Sequence, residues 1–176
     1  MNRREAIQRI TAILGGALSA QLTAGLLGQV INAGASVTVS AAQQALLAEV
    51  ADTIIPTTDT PGAKAAGAEQ FIVRVMRDCY PMEEQVQFYA GLDRLDADCK
   101  SLHGKGFSEL DAAGRSEMLK RATLGDRKFF LLIKHLTIAG YFTSEIGASK
   151  ALEWLPIPGR FEGDLPWKPG QKAWAV

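Results

Sequence analysis

Beyond residue 40 the chain reads as five separate runs in which apolar residues recur at every third or fourth position, the period of a helix with one buried face. Ser40 followed by Gln43 predicts a capping box at the start of the first run. Leu46, Leu47, Val50, Ile54 and Ile55 follow, and Pro56 ends it. Thr57 to Gly62 is a turn-rich loop. A second run carries Phe71, Ile72, Val75, Met76 and Cys79 on one face, and Pro81 marks its turn. A third carries Phe88, Tyr89, Leu92, Leu95, Cys99 and Leu102, and is broken by His103-Gly104-Lys105-Gly106. Ser108 and Asp111 are expected to cap a fourth helix with Leu110, Met118 and Leu119. The fifth spans about Asp126 to Tyr141, with Phe129, Phe130, Ile133, Leu136, Thr137 and Tyr141 as its stripe. Five amphipathic segments with short connections predict an all-α bundle.

Two flanking regions depart from that period. Residues 147–176 hold Pro156, Pro158, Pro166 and Pro169, which exclude a continuous helix, and all three tryptophans, Trp154, Trp167 and Trp174. This segment is expected to be an irregular arm. It either wraps over its own bundle or docks on a partner, since Trp anchors interfaces well. At the other end no charged residue occurs between Arg9 and Glu49. Arg3, Arg4 and Arg9 form a basic head, Ile10 to Ile31 an apolar middle, and Ala33-Gly34-Ala35 a small-residue cleavage site. Residues 1–35 are thus expected to be an export signal and 36–176 a single helical domain, with Asn32 to Val39 as linker. The middle is long enough to span a bilayer but is diluted by Gly15, Gly16, Gln21, Gly25, Gly28 and Gln29. A diluted apolar run behind Asn2-Arg3-Arg4-Glu5 resembles a twin-arginine (Tat) signal, although Ala6-Ile7 replaces the usual Phe-Leu pair and no Lys follows. An uncleaved anchor is the alternative, and it would make the chain a membrane-anchored structural protein.

Composition narrows the chemistry. The 176 residues suffice for one domain with a real core. Lys plus Arg and Asp plus Glu are balanced at 19 each, so the chain has no overall electrostatic footprint for nucleic acid. There is no C-x-x-C-H for covalent haem and no Gly-rich dinucleotide fingerprint. The two histidines, His103 and His135, lack zinc-site spacing, and His135 reads as a hydrogen-bonded structural residue. Asp93, Asp96 and Asp98 read as a solvated helix face. Cys79 lies just before a turn and Cys99 about 25 Å up the next helix at about 1.5 Å per residue. No disulfide is expected between them unless Gly91 kinks that helix.

Two stretches carry a resemblance. Ala139-Gly140-Tyr141-Phe142-Thr143-Ser144-Glu145-Ile146-Gly147, continuing through Leu155-Pro156-Ile157-Pro158-Gly159-Arg160-Phe161, is similar to the gluconate 2-dehydrogenase subunit 3 family. Ile54-Ile55-Pro56-Thr57-Thr58-Asp59-Thr60-Pro61-Gly62-Ala63 resembles that family's early loop. The resemblance implies a non-catalytic small subunit of a periplasmic or membrane-bound oxidoreductase, with no cofactor of its own. Its implied partners are a large flavin-dependent subunit of the GMC type holding FAD, a c-type cytochrome holding haem, and the Tat machinery, which would read Arg3 and Arg4. The small subunit would escort the large one through export and support its folding. It leaves the sugar or sugar-acid substrate open. Tyr141, Thr143, Ser144 and Glu145 are candidates for partner contact at a helix exit, or else a helix end packed by the tail. Trp154, Pro156, Pro158, Phe161 and Trp167 are candidate contacts of the arm.

Overall fold

The computed structural model describes residues 37–155, 159, 166 and 168–175. The leader with Arg3 and Arg4, and the arm residues Pro156, Pro158, Phe161 and Trp167, lie outside the described residues. The body is all-α. Its helices are α1 (Ala41–Ile54), α2 (Ala68–Cys79), α3 (Met82–His103), α4 (Ala112–Gly125) and α5 (Arg127–Phe142). A 3-10 turn at Phe107–Glu109 precedes α4, and a π-helical turn at Gly147–Ala151 follows α5. Two short strands, β1 (Glu153–Trp154) and β2 (Trp174–Ala175), pair in parallel. No described helix is long and apolar enough to cross a membrane.

Each helix begins and ends for a local reason. The Gln43 amide donates to Ser40 Oγ at 3.1 Å and the Ser40 amide donates back to Gln43 Oε1 at 3.1 Å, so the expected capping box forms. Gly104, at φ 69°, closes α3 in a left-handed conformation that costs a glycine little. Asp111 alone caps α4, accepting from the Gly114 amide at 2.8 Å. Ser108, expected as a second cap, lies in the 3-10 turn instead, where its carbonyl accepts from Arg115 at 2.6 Å. A single residue, Asp126, ends α4 and starts α5, accepting from the Phe129 amide at 3.1 Å.

The core gathers Leu46, Leu47 and Val50 of α1, Ile72 and Met76 of α2, Phe88, Leu92, Leu95 and Cys99 of α3, Met118 and Leu119 of α4, and Phe129, Ile133 and Leu136 of α5. Burying each such side chain contributes about 1.5–3 kcal/mol before entropy is counted. Two glycines set how closely the helices approach α5 and its ring-bearing neighbour. A Cβ on Gly140 of α5 would stand 2.8 Å from the Phe71 ring of α2, and one on Gly91 of α3 would stand 2.7 Å from the Phe129 ring of α5. Gly91 therefore seats a ring and leaves α3 unbroken. Cys79 and Cys99 are both free thiols. Burial pushes the Cys99 thiol up to about 11.

Several expectations fail at helix ends, where a face runs past the core. Cys79, in the last turn of α2, is exposed. Away from the ends, His135, midway along α5, is exposed as well. Leu102, near the end of α3, is half-exposed and lines a groove against α4. Asp96 is more than a solvated face: it accepts from the Phe107 amide at 2.8 Å and pairs with Lys100, fixing the 3-10 turn. The linker is partly docked, since Val37 and Val39 pack on the core and the Val37 amide donates to the buried Gln85 at 3.1 Å. Gln85 uses its other end to donate to the Tyr80 carbonyl at 2.9 Å, which ties the linker to the turn between α2 and α3.

Candidate functional site

The two stretches that carry the resemblance meet in space. The loop after α1 is rigid: Ala63 N donates to Ile55 O at 2.8 Å, Gly62 N to Thr57 Oγ1 at 2.9 Å, and Thr58 N to Thr60 O at 3.0 Å. Tyr141, at the end of α5, reaches across 80 residues of sequence and donates its hydroxyl proton to the Pro61 carbonyl at 2.9 Å. That carbonyl can only accept, and a phenol has one proton. The 3.3 Å contact between the Tyr141 and Thr60 hydroxyls must then have Thr60 as donor. Ala51, Ala63 and Ala68 enclose the Tyr141 ring, with Ile55, Ala66, Ile146 and Ala151 packed against the group. Small residues here make room for one large one.

The exit of α5 is built the same way. Ser144 Oγ donates to the Tyr141 carbonyl at 2.6 Å and accepts from the Gly147 amide at 3.0 Å. Thr143 Oγ1 donates to the Ala139 carbonyl at 2.7 Å. Gly147 is buried so tightly that an added Cβ would lie 1.9 Å from the Tyr141 carbonyl oxygen. Of the four candidates at this exit, Tyr141 is buried, at 2% exposure with its hydroxyl taken, as in the packed helix-end reading. Ser144 is half-buried and committed to backbone, while Thr143 and Glu145 are exposed.

The tail has the opposite character. Gly147–Ala151 forms a π-helical turn rather than extended chain, so the irregular segment starts after it. Glu153 N donates to Ala173 O at 2.9 Å, and Glu153 pairs with Trp174 and Trp154 with Ala175. Lys168-Pro169-Gly170-Gln171 turns back into β2, with Gly170 at φ 82° and Gln171 N donating to Lys168 O at 3.0 Å. In this register Trp154 and Trp174 point to opposite faces of the ribbon. They are 59% and 45% exposed. Trp174 was not singled out by sequence; its only signal is that it is the third tryptophan of the tail.

Sequence reasoning also missed an ionic joint. Glu49, the first charge after Arg9, accepts from Lys64 at one oxygen and from Arg115 at the other. Arg115 continues to the Leu110 carbonyl at 2.9 Å, so one carboxylate ties α1, the following loop, the 3-10 turn and α4. The Lys64 hydrogen bond, opposed by burial and helped by the Arg115 charge, holds the Glu49 carboxyl below its ordinary value of 4.5. Among the described residues no group of three or more His, Cys, Asp and Glu side chains is placed to hold a metal ion.

Fold and site together define a small all-α protein whose signature residues build a buried joint, with Trp154 and Trp174 exposed in the tail that follows. Residues 41–159, most of the described body, match the family described as gluconate 2-dehydrogenase subunit 3. The chain belongs to that family and is an accessory subunit of a dehydrogenase complex. No curated protein and no solved structure matches it.

Proposed function

We propose that this chain is the non-catalytic small subunit of a periplasmic, flavin-dependent GMC-type sugar or sugar-acid dehydrogenase. It escorts the large flavoprotein subunit through Tat export and supports its folding, and FAD and haem c reside in the flavoprotein and in a c-type cytochrome partner. The family match carries this reading. The paired Arg3 and Arg4 ahead of a weakly apolar run support the export route. The exposed Trp154 and Trp174 support docking by the tail, because half-exposed tryptophans on a pinned loop lose little entropy on binding. Pro156, Pro158, Phe161 and Trp167 lie between the two tryptophans in sequence and join the docking set.

Co-expression with the large subunit tests this. With the intact chain, the flavoprotein should reach the periplasm with FAD bound. With Arg3→Lys and Arg4→Lys it should stay in the cytoplasm, because the machinery reads guanidinium geometry as well as charge. Truncation after Leu152 keeps the π-helical turn and removes the loop; the body should fold and fail to co-purify with the flavoprotein. Periplasmic, active flavoprotein in the absence of this chain, or stoichiometric flavin on the isolated chain, would overturn the assignment.

A further inference from the structure

The corner between α4 and α5 breaks rules that the rest of the body keeps. Leu124, in the last turn of α4, is 89% exposed, well beyond the other large apolar side chains described. A Cβ added to the next residue, Gly125, would meet nothing within 4 Å, so the backbone there is open to solvent. It is also held still. Asp126 caps α5 through the Phe129 amide and accepts from Arg94 of α3 at 3.0 Å.

Four exposed cations surround the tip. Lys120 and Arg121 sit one turn before Leu124 on the same side of α4. Arg127 and Lys128 open α5. None of the four forms an ion pair among the described residues, although Asp126 beside them does. Arg127 and Lys128 stand at the end of the helix where its dipole disfavours positive charge, so they do not serve α5. A leucine in water and two cations at a helix start together weaken the isolated fold. The chain as a whole is neutral, so these four cations are a local cluster, with Glu117 one turn before the first pair and Asp126, itself paired with Arg94, between the two.

We propose that this corner docks on the surface of an anionic phospholipid bilayer. Leu124 enters the boundary of the acyl region, and Lys120, Arg121, Arg127 and Lys128 lie among the headgroup phosphates. Shape and composition favour a bilayer over a protein. A specific protein interface covers roughly 800 Å² per partner around an aromatic or apolar centre. The corner itself, between the grooves on either side of it, exposes one large apolar side chain, Leu124, and no aromatic ring. A bilayer accepts that arrangement, with an apolar point at the centre and cations around it. Contact of this size is reversible alone and adds to any second attachment in the assembly.

The test uses the full chain with Leu124→Cys in a Cys79→Ser background, labelled with an environment-sensitive fluorophore. Cys99 is buried and is not labelled. Phosphatidylcholine vesicles containing phosphatidylglycerol should blue-shift and brighten the probe, high salt should reverse the change, and pure phosphatidylcholine should leave it in water. In co-sedimentation, Arg127→Gln with Lys128→Gln should weaken binding on the order of tenfold or more, and Leu124→Ser should weaken it further. The leader is common to all variants, so the differences report the corner. A probe that stays in water while the chain sediments, an equal shift on neutral vesicles, a shift that needs the flavoprotein, or unchanged binding by Leu124→Ser would each overturn the proposal.

Discussion

The exit of α5 and the tail beyond it are adjacent in sequence and opposite in physics. The exit carries the most recognisable residues of the chain, and its key members face inward, although Phe142, Thr143 and Glu145 are exposed: Tyr141 fills an alanine-lined socket, Ser144 ties backbone to backbone, and Gly140 and Gly147 leave no space for a methyl group. The tail is held at its base by a few backbone hydrogen bonds and presents Trp154 and Trp174 to solvent. Much of the recognisable motif is thus spent on the body's own packing, where it holds the chain that leaves α5.

The comparison predicts a gradient of effects on stability. Tyr141→Ala should be the most damaging, by about 3–5 kcal/mol, since it empties the socket and strands the loop carbonyl. Tyr141→Phe should lose about 1–3 kcal/mol by leaving Pro61 O unsatisfied while keeping the ring. Chemical denaturation measures both, and a near-neutral Tyr141→Ala would break the distinction drawn above.

Glu49→Gln should follow at about 2 kcal/mol, the value of a hydrogen bond to a charged group. Its pH dependence sharpens the test. The folded Glu49 carboxyl titrates below 4.5, so its stabilisation is complete above that value and is lost as pH falls through the folded pKa. Thermal melts of wild type and variant should therefore differ at neutral pH and converge in acid. A gap that stays constant below pH 4.5 would show that Glu49 acts through packing alone.

Trp154→Ala and Trp174→Ala should change stability least, by about 0.5 kcal/mol or less, the usual range for exposed positions. Their effect belongs to co-purification with the large subunit, where each is expected to lower recovery. If either variant melts like Tyr141→Ala, the tail is a cover for the body and the contrast collapses.

The helices were legible because their period is local. Ser40 with Gln43 predicts a start, and Gly104 predicts a stop, from contacts a few residues apart. The role of Tyr141 was not legible, since an aromatic at a helix end looks the same whether it points to a partner or to a carbonyl 80 residues earlier. Glu49 likewise shows only as one charge after a long neutral stretch; its two cations come from distant segments. The pairing of β1 with β2 spans a Pro-rich loop and has no periodic trace. Leu102 and Cys79 were misplaced because a helical stripe continues past the point where the core ends.

The Tyr141–Pro61 contact also orders events in time. The α4–α5 elbow closes through one residue, and such near-neighbour contacts form early, whereas a contact that must first gather most of the chain forms late. Mutations at Asp126 should slow refolding, and mutations at Tyr141 should mainly speed unfolding; stopped-flow kinetics separates the two. Until that late contact closes, the segment leaving α5 has no fixed heading. The direction in which β1 leaves α5 is then a property of the finished fold, expected to be lost whenever the Tyr141–Pro61 contact is open.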